Sequence, residues 1–199
     1  MKKVEPIRDR EMLERCYAIA RRHDSERREH DVLSWELLLV VGFNTSLRIS
    51  DIGRFKVKDL RGQKYARIEA KKTGKDTRIL INPDARREIA RILGTRDGED
   101  WALRSRQRDR YTGQPRAIGR QRAWQIMNEI AREAGIEERI GCHTLRKTFG
   151  YHYYKLTGDV VSLQRILGHD NRRDTLVYIG IVQDEIDESL KKFSLVSGA

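Results

Sequence analysis

The sequence predicts an α+β fold that is mainly α-helical and contains a small antiparallel β-hairpin. In most segments of the chain, apolar residues recur at helical spacing. Two short segments with strand-like composition flank a glycine-containing turn, which is the pattern of a hairpin. We find no internal repeat and no linker rich in proline, glycine or serine. A chain of 199 residues can bury a sizeable core without disulfides or metals, so one compact domain is expected.

The predicted elements follow one another without a long gap in the N-terminal half. Helices are predicted over residues 8–23 and 31–43 and from about Ser50, strands over 64–70 and 77–81, and further helices over 83–93, 119–134, 143–156, 160–167 and 184–193. The second helix is the most apolar and is expected to be buried. Gly74 lies in the turn between the strands, and Pro83 suits the first position of the helix that follows.

The stretch from Arg104 to Arg122 is predicted to be a loop. Its seven arginines alternate with glycine and proline, and it lacks apolar periodicity. Such a stretch is either solvated surface or a flexible basic loop that follows DNA phosphates. Candidate DNA contacts in this loop and in the hairpin turn are Lys71, Lys75, Arg104, Arg106, Arg108, Arg120 and Arg122.

The charge balance favours a polyanionic partner. Lysine and arginine number 41 against 30 aspartate and glutamate, which gives a formal net charge of +11. Nucleic acid is the leading candidate, and a well-solvated basic face is the alternative.

Cysteine usage and the N-terminus indicate a cytoplasmic protein. Cys16 and Cys142 are far apart and form neither a CxxC motif nor a disulfide framework. The first residues are charged and contain no apolar signal segment. The longest apolar run, Leu37 to Val41, is too short to span a bilayer, so no membrane partner is expected.

Two arginine-containing motifs could bind an anion. Arg48 lies among apolar residues in Ser46-Leu47-Arg48-Ile49-Ser50-Asp51-Ile52, and an arginine buried there needs an anionic partner. An internal ion pair with Asp51 is the alternative explanation. In His143-Thr144-Leu145-Arg146, the histidine and the arginine lie three residues apart on one face of a predicted helix. Both side chains can therefore face one ligand.

Three further residues complete the set of candidates. Lys72 lies at the hairpin turn, where a flexible ammonium can give a proton to a leaving oxygen. His169 follows Gly168 at a predicted helix end, and a structural capping role is its alternative. Tyr178 follows His169 by nine residues, and an ordinary core aromatic is its alternative.

These motifs, in the order Arg, Lys, His-x-x-Arg, His, Tyr and with these spacings, resemble the tyrosine recombinase, or phage integrase, family. The resemblance covers residues 31 to about 182. It implies the tyrosine recombinase catalytic-domain fold of DNA breaking-rejoining enzymes. It also implies that Tyr178 is the nucleophile, that Arg48 and Arg146 bind the scissile phosphate, and that His143 and His169 assist. Lys72 would be the general acid, and Asp51 would support the other side chains.

The activity implied by the resemblance is site-specific recombination through a 3′-phosphotyrosyl intermediate. Two arginines and a histidine suit the charge that develops on the nonbridging phosphate oxygens. No cofactor is expected, because we find no acidic cluster spaced for Mg²⁺ and no His/Cys set for Zn²⁺. The expected partner is double-stranded DNA, on which the family resemblance implies a homotetramer.

The expected domain organisation is a single catalytic domain over residues 1–199, with a core over about 8–182 and a tail helix over 183–199. Family members usually carry an additional N-terminal domain that closes a clamp around DNA, and none is expected here. The tail either packs on its own domain or docks on a neighbouring protomer. Two alternative functions remain, a type IB topoisomerase-like enzyme and a non-catalytic DNA-binding accessory protein.

Overall fold

The structure, a computed structural model, describes residues 4–26, 33–69 and 76–191. Within these ranges the chain is mainly helical. The helices are α1 Arg10–Ser25, α2 Trp35–Thr45, α3 Ile49–Ile52, α4 Val57–Leu60, α5 Pro83–Leu93, α6 Arg120–Ala134, α7 Cys142–Thr157, α8 Val160–Leu167, α9 Arg172–Ile179 and α10 Ile181–Lys191. The strands are β1 Tyr65–Glu69, β2 Asp76–Leu80, β3 Arg104–Arg108 and β4 Pro115–Ala117. No helix in the described ranges has the length and apolar character needed to cross a membrane.

Short polar residues set where several helices begin. The side chain of an N-cap residue accepts a hydrogen bond from a backbone N–H group that the first helical turn leaves unpaired. The N-caps that do this are Asp9, Ser34, Asn82, Asp159 and Asn171. Pro83 follows Asn82 and opens α5, as the sequence predicts.

The apolar side chains form one large core and one small C-terminal cluster. The large core is built around α2, whose residues are almost all buried and which packs against α1, α5 and α7. The small cluster consists of Leu163, Leu167, Ile179 and Ile181, with aromatic residues of α7 packed against it. Helix α7 contributes to both, so it connects the large core to the elements that follow it.

Gly150 allows α9 to approach α7 closely. A Cβ atom at this position would lie 2.7 Å from the Ile179 Cγ2 atom. This distance is shorter than a van der Waals contact, so a larger side chain would push the two helices apart. The close approach sets the last turn of α9 against the middle of α7.

The segment before α1 also packs against α7. Thr144 donates a side-chain hydrogen bond to the Glu5 carbonyl oxygen at 2.9 Å, and the Ile7 N–H donates to the Thr148 hydroxyl at 2.9 Å. These bonds hold the N-terminal segment beside the first turns of α7.

The predicted hairpin is present, with an antiparallel register that pairs Tyr65 with Leu80 and Glu69 with Asp76. The turn that joins the two strands, which carries Lys71, Lys72 and Lys75, lies outside the described residues. The helices predicted elsewhere are found within a few residues of their expected bounds.

The prediction of a loop from Arg104 to Arg122 is wrong. Strands β3 and β4 form a second hairpin, and α6 begins at Arg120. The side chains of β3 are half-buried or exposed, so the apolar alternation that signals a strand is missing. The turn is held locally instead, because the Asp109 carboxylate accepts hydrogen bonds from the Tyr111 and Thr112 N–H groups.

Two helices were not predicted, α4 and α9, and α10 begins three residues before its predicted start at Asp184. Helix α4 has only four residues, too few to show a period. Helix α9 contains three charged residues in its first three positions, and only Thr175 and Ile179 are buried. Its position depends on packing against α7, which local spacing does not reveal.

Replacing Glu36 by glutamine should destabilise the fold. The Glu36 carboxylate is buried and accepts hydrogen bonds from Arg21 Nε and Arg91 Nη2, each at 2.6 Å, which joins α1, α2 and α5. The Gln side chain keeps the size but loses the charge, so the free energy of unfolding should fall by about 2 kcal/mol. Urea denaturation measures this loss.

Asp84→Asn is the matched control, because the Asp84–Arg87 pair is exposed and should contribute less than about 1 kcal/mol. Equal effects of the two substitutions would contradict a structural role for the buried carboxylate.

Candidate functional site

Tyr178 lies in the last turn of α9, facing α7. Its hydroxyl is 3.4 Å from His143 Nδ1, and its half-buried ring meets the His169 ring edge to face, with 4.9 Å between the ring centroids. Tyr178 therefore contacts His143 of the HxxR motif and also His169, both of which precede it in the chain. Of the two readings of Tyr178, the packing favours a functional hydroxyl over a core aromatic, because its oxygen faces a titratable ring.

Arg146 joins two parts of the fold beneath Tyr178. Only 6% of Arg146 is exposed. Its Nη1 atom donates to the Ser46 carbonyl oxygen at 2.7 Å, and its Nη2 atom donates to the Leu167 carbonyl oxygen. Both carbonyls lie at helix C-termini, where acceptors lack intrahelical partners and the helix dipole favours a cation. The guanidinium thus fixes the end of α2 and the end of α8 to α7.

Arg48 follows the α2 end that Arg146 binds. Ser46 has a positive φ of 58°, a conformation that residues other than glycine adopt at a cost. This turn buries Leu47 and Ile49 and exposes the Arg48 side chain between them. The prediction that Arg48 is buried is therefore wrong.

The alternative explanation of Arg48, an ion pair with Asp51, is not found either. Within the part of the chain that the structure describes, the Arg48 side chain forms no hydrogen bond or ion pair. Its charge nevertheless acts on the pKa values of His143, Arg146, His169 and Tyr178. Arg48 is thus an exposed cation at the mouth of the site.

Asp51 lies one helical turn from Arg48, on α3. Its negative charge raises the pKa of Arg146, against the stronger lowering caused by burial of the guanidinium. Asp51 therefore favours the charged form of Arg146. Its supporting role in the site stays a prediction.

The two histidines are held in different ways. His169 Nδ1 lies 3.1 Å from the Thr175 hydroxyl, which itself donates to the Asn171 carbonyl oxygen at 3.0 Å. Because the hydroxyl proton is already used, Thr175 accepts from Nδ1–H, which leaves His169 Nε2 available for a ligand. His143 is exposed on the first turn of α7, and its Nδ1 atom faces Tyr178.

Burial and neighbouring cations lower the pKa values of both histidines of the site. Partial burial lowers the pKa of His143, and Arg120 and Arg146 lower it further. Partial burial and the charges of Arg146 and Arg48 also lower the pKa of His169. Both imidazoles are therefore neutral at neutral pH, when one of their nitrogen atoms can accept a proton.

Burial and nearby cations act on Tyr178 in opposite directions. Desolvation raises the pKa of Tyr178, whereas the charges of Arg146 and Arg48 and hydrogen bonding by Arg146 lower it. The net direction is upward from the ordinary value of 10.0. The phenol is thus protonated at neutral pH, and its attack on an electrophile needs a proton acceptor.

Lys147 was not predicted to belong to the site. It follows Arg146 on α7, is 3% exposed, and places its Nζ atom 5.1 Å from the centroid of the Tyr178 ring. A lysine next to the HxxR motif carries no signal of its own in the sequence. Only the helical geometry, which turns Lys147 toward α9, reveals the contact.

A cleft of about 930 Å³ extends from Tyr178 along the N-terminal ends of α6 and α7. His143 and Lys147 line it beside Tyr178, and Arg120, Trp124 and Arg139 line it farther away. Trp124 is 50% exposed, which is unusual for a tryptophan. The cleft therefore combines an apolar wall with cations next to the tyrosine.

Among the candidate DNA contacts that the structure describes, some line a groove and others bind other parts of the protein. Arg106 and Arg122 line a polar groove of about 470 Å³ together with Arg116. Arg104 instead pairs with Asp100 at 3.4 Å, and Arg108 donates to the Gly113 carbonyl oxygen at 2.9 Å. The second hairpin thus uses some of its arginines for its own structure.

A possible metal-binding group lies on α1 and α6. Among the described residues, His23, Glu129 and Glu133 have ligand atoms within 4.8 Å of one another. Arg22 also pairs with Glu133, and the His23 ring stacks on Trp35 with 4.0 Å between the centroids. Since a cation from the protein already neutralises the carboxylate, these contacts explain the cluster as structure.

The sequence of residues 13–184 matches the model of the Phage integrase family. The chain belongs to the phage integrase family. The match includes every motif residue discussed above, from Arg48 to Tyr178. The family predicted from the sequence is therefore confirmed.

Named relatives of this family member are integrases and recombinases. The chain is 39% identical over 156 residues to a probable integrase/recombinase, YoeC, of Bacillus subtilis, covering 78% of this chain and 82% of YoeC. It is 26% identical over 169 residues to the tyrosine recombinase XerA of Pyrococcus furiosus, covering 83% of this chain and 57% of XerA. These relatives support the predicted class of function, an enzyme that breaks and rejoins DNA.

Solved structures confirm the predicted fold class. The catalytic domain of bacteriophage HP1 integrase has a TM-score of 0.58 and 18% identity, with 99% of each chain covered. A XerA recombinase has a TM-score of 0.68 and 16% identity, with 94% of this chain and 64% of that chain covered. The phage integrase family member described here thus has the fold of a tyrosine recombinase catalytic domain.

Proposed function

We propose that this chain is a site-specific DNA recombinase that cuts and rejoins DNA through a covalent phosphotyrosine intermediate. One observation carries the proposal. The Tyr178 hydroxyl lies 3.4 Å from a neutral histidine, His143, and within reach of the charges of Arg146 and Arg48. A DNA phosphodiester is an anion that these two arginines can bind.

The first chemical step transfers a phosphoryl group to the tyrosine. The Tyr178 hydroxyl loses its proton to neutral His143 or to water, and its oxygen bonds to the phosphorus as the bond to the 5′ oxygen breaks. The leaving 5′ oxygen gains a proton and becomes a hydroxyl. Arg48 and Arg146 offset the charge that develops on the nonbridging oxygens. His169 is proposed to assist by donating from Nε2 once the negative charge of the bound phosphate favours its protonated form. Reversal by a 5′-hydroxyl from another strand joins new ends, so no ATP and no cofactor is needed.

Lys72 is proposed as the acid that protonates the leaving 5′ oxygen. This role comes from the family resemblance, since the hairpin turn lies outside the described residues. In support, β1 and β2 form the antiparallel hairpin predicted from the sequence, and Glu69 pairs with Asp76 next to the turn. Asp51 is proposed to support Arg146 electrostatically rather than to react.

Double-stranded DNA is the proposed partner, and a cytoplasmic location goes with it. One similar structure is described as a lambda integrase tetramer bound to a Holliday junction, and we propose that this chain also acts as a tetramer on DNA. Ile186 and Leu190 of α10 are exposed, which supports a tail that docks on a neighbouring protomer. We also propose that residues 1–199 form one catalytic domain, with a core over about 8–182.

A suicide-substrate assay tests the proposal. The protein is incubated with nicked duplexes that carry a randomised core, so that the short 5′-hydroxyl fragment dissociates after cleavage and rejoining stops. A covalent protein–DNA adduct is expected, with formation that continues in excess EDTA. Binding should weaken steeply with salt, because the basic surface displaces counterions from DNA.

The assay also separates the alternatives. Binding without an adduct on any duplex would favour a non-catalytic accessory protein and would overturn the proposal. An adduct that is resealed only to its own strand, with no exchange between two labelled duplexes, would favour a topoisomerase-like enzyme.

Adduct formation should decrease in mild acid. Burial and neighbouring cations lower the pKa of His143 below its ordinary 6.5, so the imidazole stays neutral at pH 7 and can accept the Tyr178 proton. Protonation removes this acceptor, so the rate should fall as the pH falls through a value below 6.5. Single-turnover cleavage measured between about pH 5 and 8 records the profile.

His143→Gln is the first control, and it should remove the part of this decrease that belongs to His143. His169→Gln is the second, since the pKa of His169 is lowered in the same direction. A profile that is unchanged in His143→Gln would assign the proton transfer to another group.

A further inference from the structure

Lys147 is a buried cation that lies over the ring of Tyr178, the proposed nucleophile. Its Nζ atom lies 5.1 Å from the centroid of the Tyr178 ring, and the residue is 3% exposed. A buried ammonium is costly unless the surroundings favour its charge. The ring face is electron-rich and offers such an interaction.

The ring becomes more attractive to a cation when the phenol reacts. As the hydroxyl proton leaves, negative charge develops on the oxygen and spreads over the ring carbons. A cation over the face is then bound more strongly than in the neutral phenol. In the phosphotyrosine ester the ring is neutral again. The interaction is therefore strongest during attack and during its reversal, which is the condition for lowering a barrier.

We propose that Lys147 is a positioning residue for Tyr178, which holds the ring and stabilises its developing phenolate in both cleavage and rejoining. The proposal rests on the proposed function, because it takes Tyr178 as the nucleophile. It gives Lys147 a role distinct from that of Lys72, which concerns the leaving oxygen.

Several other charged or titratable groups face Tyr178, and the test must separate Lys147 from them. His143 and Arg146 on α7 act near the hydroxyl. His169 meets the ring edge to face, and the charge of Arg48, before α3, reaches the hydroxyl from the mouth of the site. Lys147 alone among the described cations lies over the ring face.

The test compares wild type with Lys147→Met, which keeps the length and loses the charge, and Lys147→Arg, which keeps the charge. Single-turnover cleavage is measured on a suicide duplex that wild type cleaves, between about pH 6 and 9.5. Lys147→Met should be about tenfold slower, the effect of one desolvated cation–π contact. Above the titration of His143, the rate should rise again as the phenol begins to ionise, and in Lys147→Met this second rise should move to higher pH because the phenol becomes harder to ionise. Lys147→Arg should regain part of the rate and the wild-type profile.

A substrate with sulfur in place of the bridging 5′ oxygen separates the two lysines. A thiolate leaves without a proton, so this substrate should relieve a Lys72→Met defect. The Lys147→Met defect should persist on it, because the phenol must still ionise. Relief of the Lys147→Met defect would make Lys147 the leaving-group acid and would overturn the proposal.

Further outcomes keep the proposal falsifiable. Lys147→Gln replaces the Met variant if that variant does not fold, as judged by its thermal midpoint. A rate and pH profile equal to wild type in the folded uncharged variant would overturn the proposal while the proposed function stands. Failure of wild type to form any adduct would overturn the proposed function itself.

Discussion

Replacing Tyr178 by phenylalanine should abolish the covalent adduct and leave DNA binding within about twofold of wild type. The substitution removes one oxygen atom, and the Phe ring can keep its contacts with His169 and Lys147. Without the hydroxyl no bond to phosphorus can form, so the loss should be complete rather than partial. Denaturing electrophoresis on the suicide duplex measures the adduct, and a filter or fluorescence assay measures binding.

Tyr154→Phe is the matched control for Tyr178→Phe. Tyr154 is half-buried on α7 and packs against the same small C-terminal cluster. Removing its hydroxyl should leave adduct formation unchanged. An adduct that persists in Tyr178→Phe would reject the nucleophile assignment, and mass spectrometry of the trapped peptide would then identify the residue that carries the phosphate.

Tyr178→Phe should abolish cleavage without destabilising the fold. The Tyr178 hydroxyl has a long, 3.4 Å contact with a partly exposed histidine, which contributes little to folding. Arg146, which also hydrogen-bonds the hydroxyl, keeps two carbonyl acceptors when the hydroxyl is removed. Tyr178→Phe should therefore unfold at nearly the wild-type urea concentration. A large fall in stability would mean that the hydroxyl is held for structural reasons, as in an ordinary core tyrosine.

The sequence predicted which residues lie in the site because their order and spacing carry the signal. His143 and Arg146 lie on one helical face, and the glycine at 168 ends α8 so that His169 follows in a defined place. Long-range packing carries no such signal. The contact of Gly150 with Ile179, which sets α9 against α7, joins residues that are 29 positions apart. The position of Tyr178 therefore required the structure.

Whether a charged side chain is exposed or buried was harder to predict from the sequence than whether it belongs to the site. Arg48 lies between two buried apolar residues, yet the positive φ of Ser46 exposes its side chain. Lys147 has the opposite outcome, since a lysine on a helix is usually exposed but this one is buried against a ring. Local sequence specifies neither the exposure of Arg48 nor the burial of Lys147, because each depends on how the neighbouring elements of the fold are oriented.

The two arginines should respond differently to removal, although both are proposed to bind the same phosphate. Arg48→Ala and Arg146→Ala should each slow cleavage by a factor of about 100 to 1,000, the scale of losing one donor to a developing charge. Arg48 has an exposed side chain, so Arg48→Ala should leave the urea midpoint almost unchanged. Single-turnover cleavage and urea denaturation of both variants test this difference.

Arg146→Ala should in addition destabilise the fold. The substitution leaves the Ser46 and Leu167 carbonyl oxygens without their donor in a buried place, at a cost of about 1–3 kcal/mol for each group. Arg146→Lys is the informative intermediate. A lysine keeps the charge but lacks the planar fork that reaches both carbonyls, so it should recover part of the stability and little of the rate.

The two alanine variants should differ in stability because the guanidinium groups of Arg146 and Arg48 have different contacts in the absence of DNA. Arg146 is already fixed by two carbonyls, so its geometry is set and it loses little freedom when a phosphate binds. Arg48 is exposed and must become ordered by the phosphate itself. Equal stability losses in the two alanine variants would contradict this division. A wild-type cleavage rate in Arg48→Ala would remove that residue from the phosphate site and leave Arg146 as the structurally anchored donor.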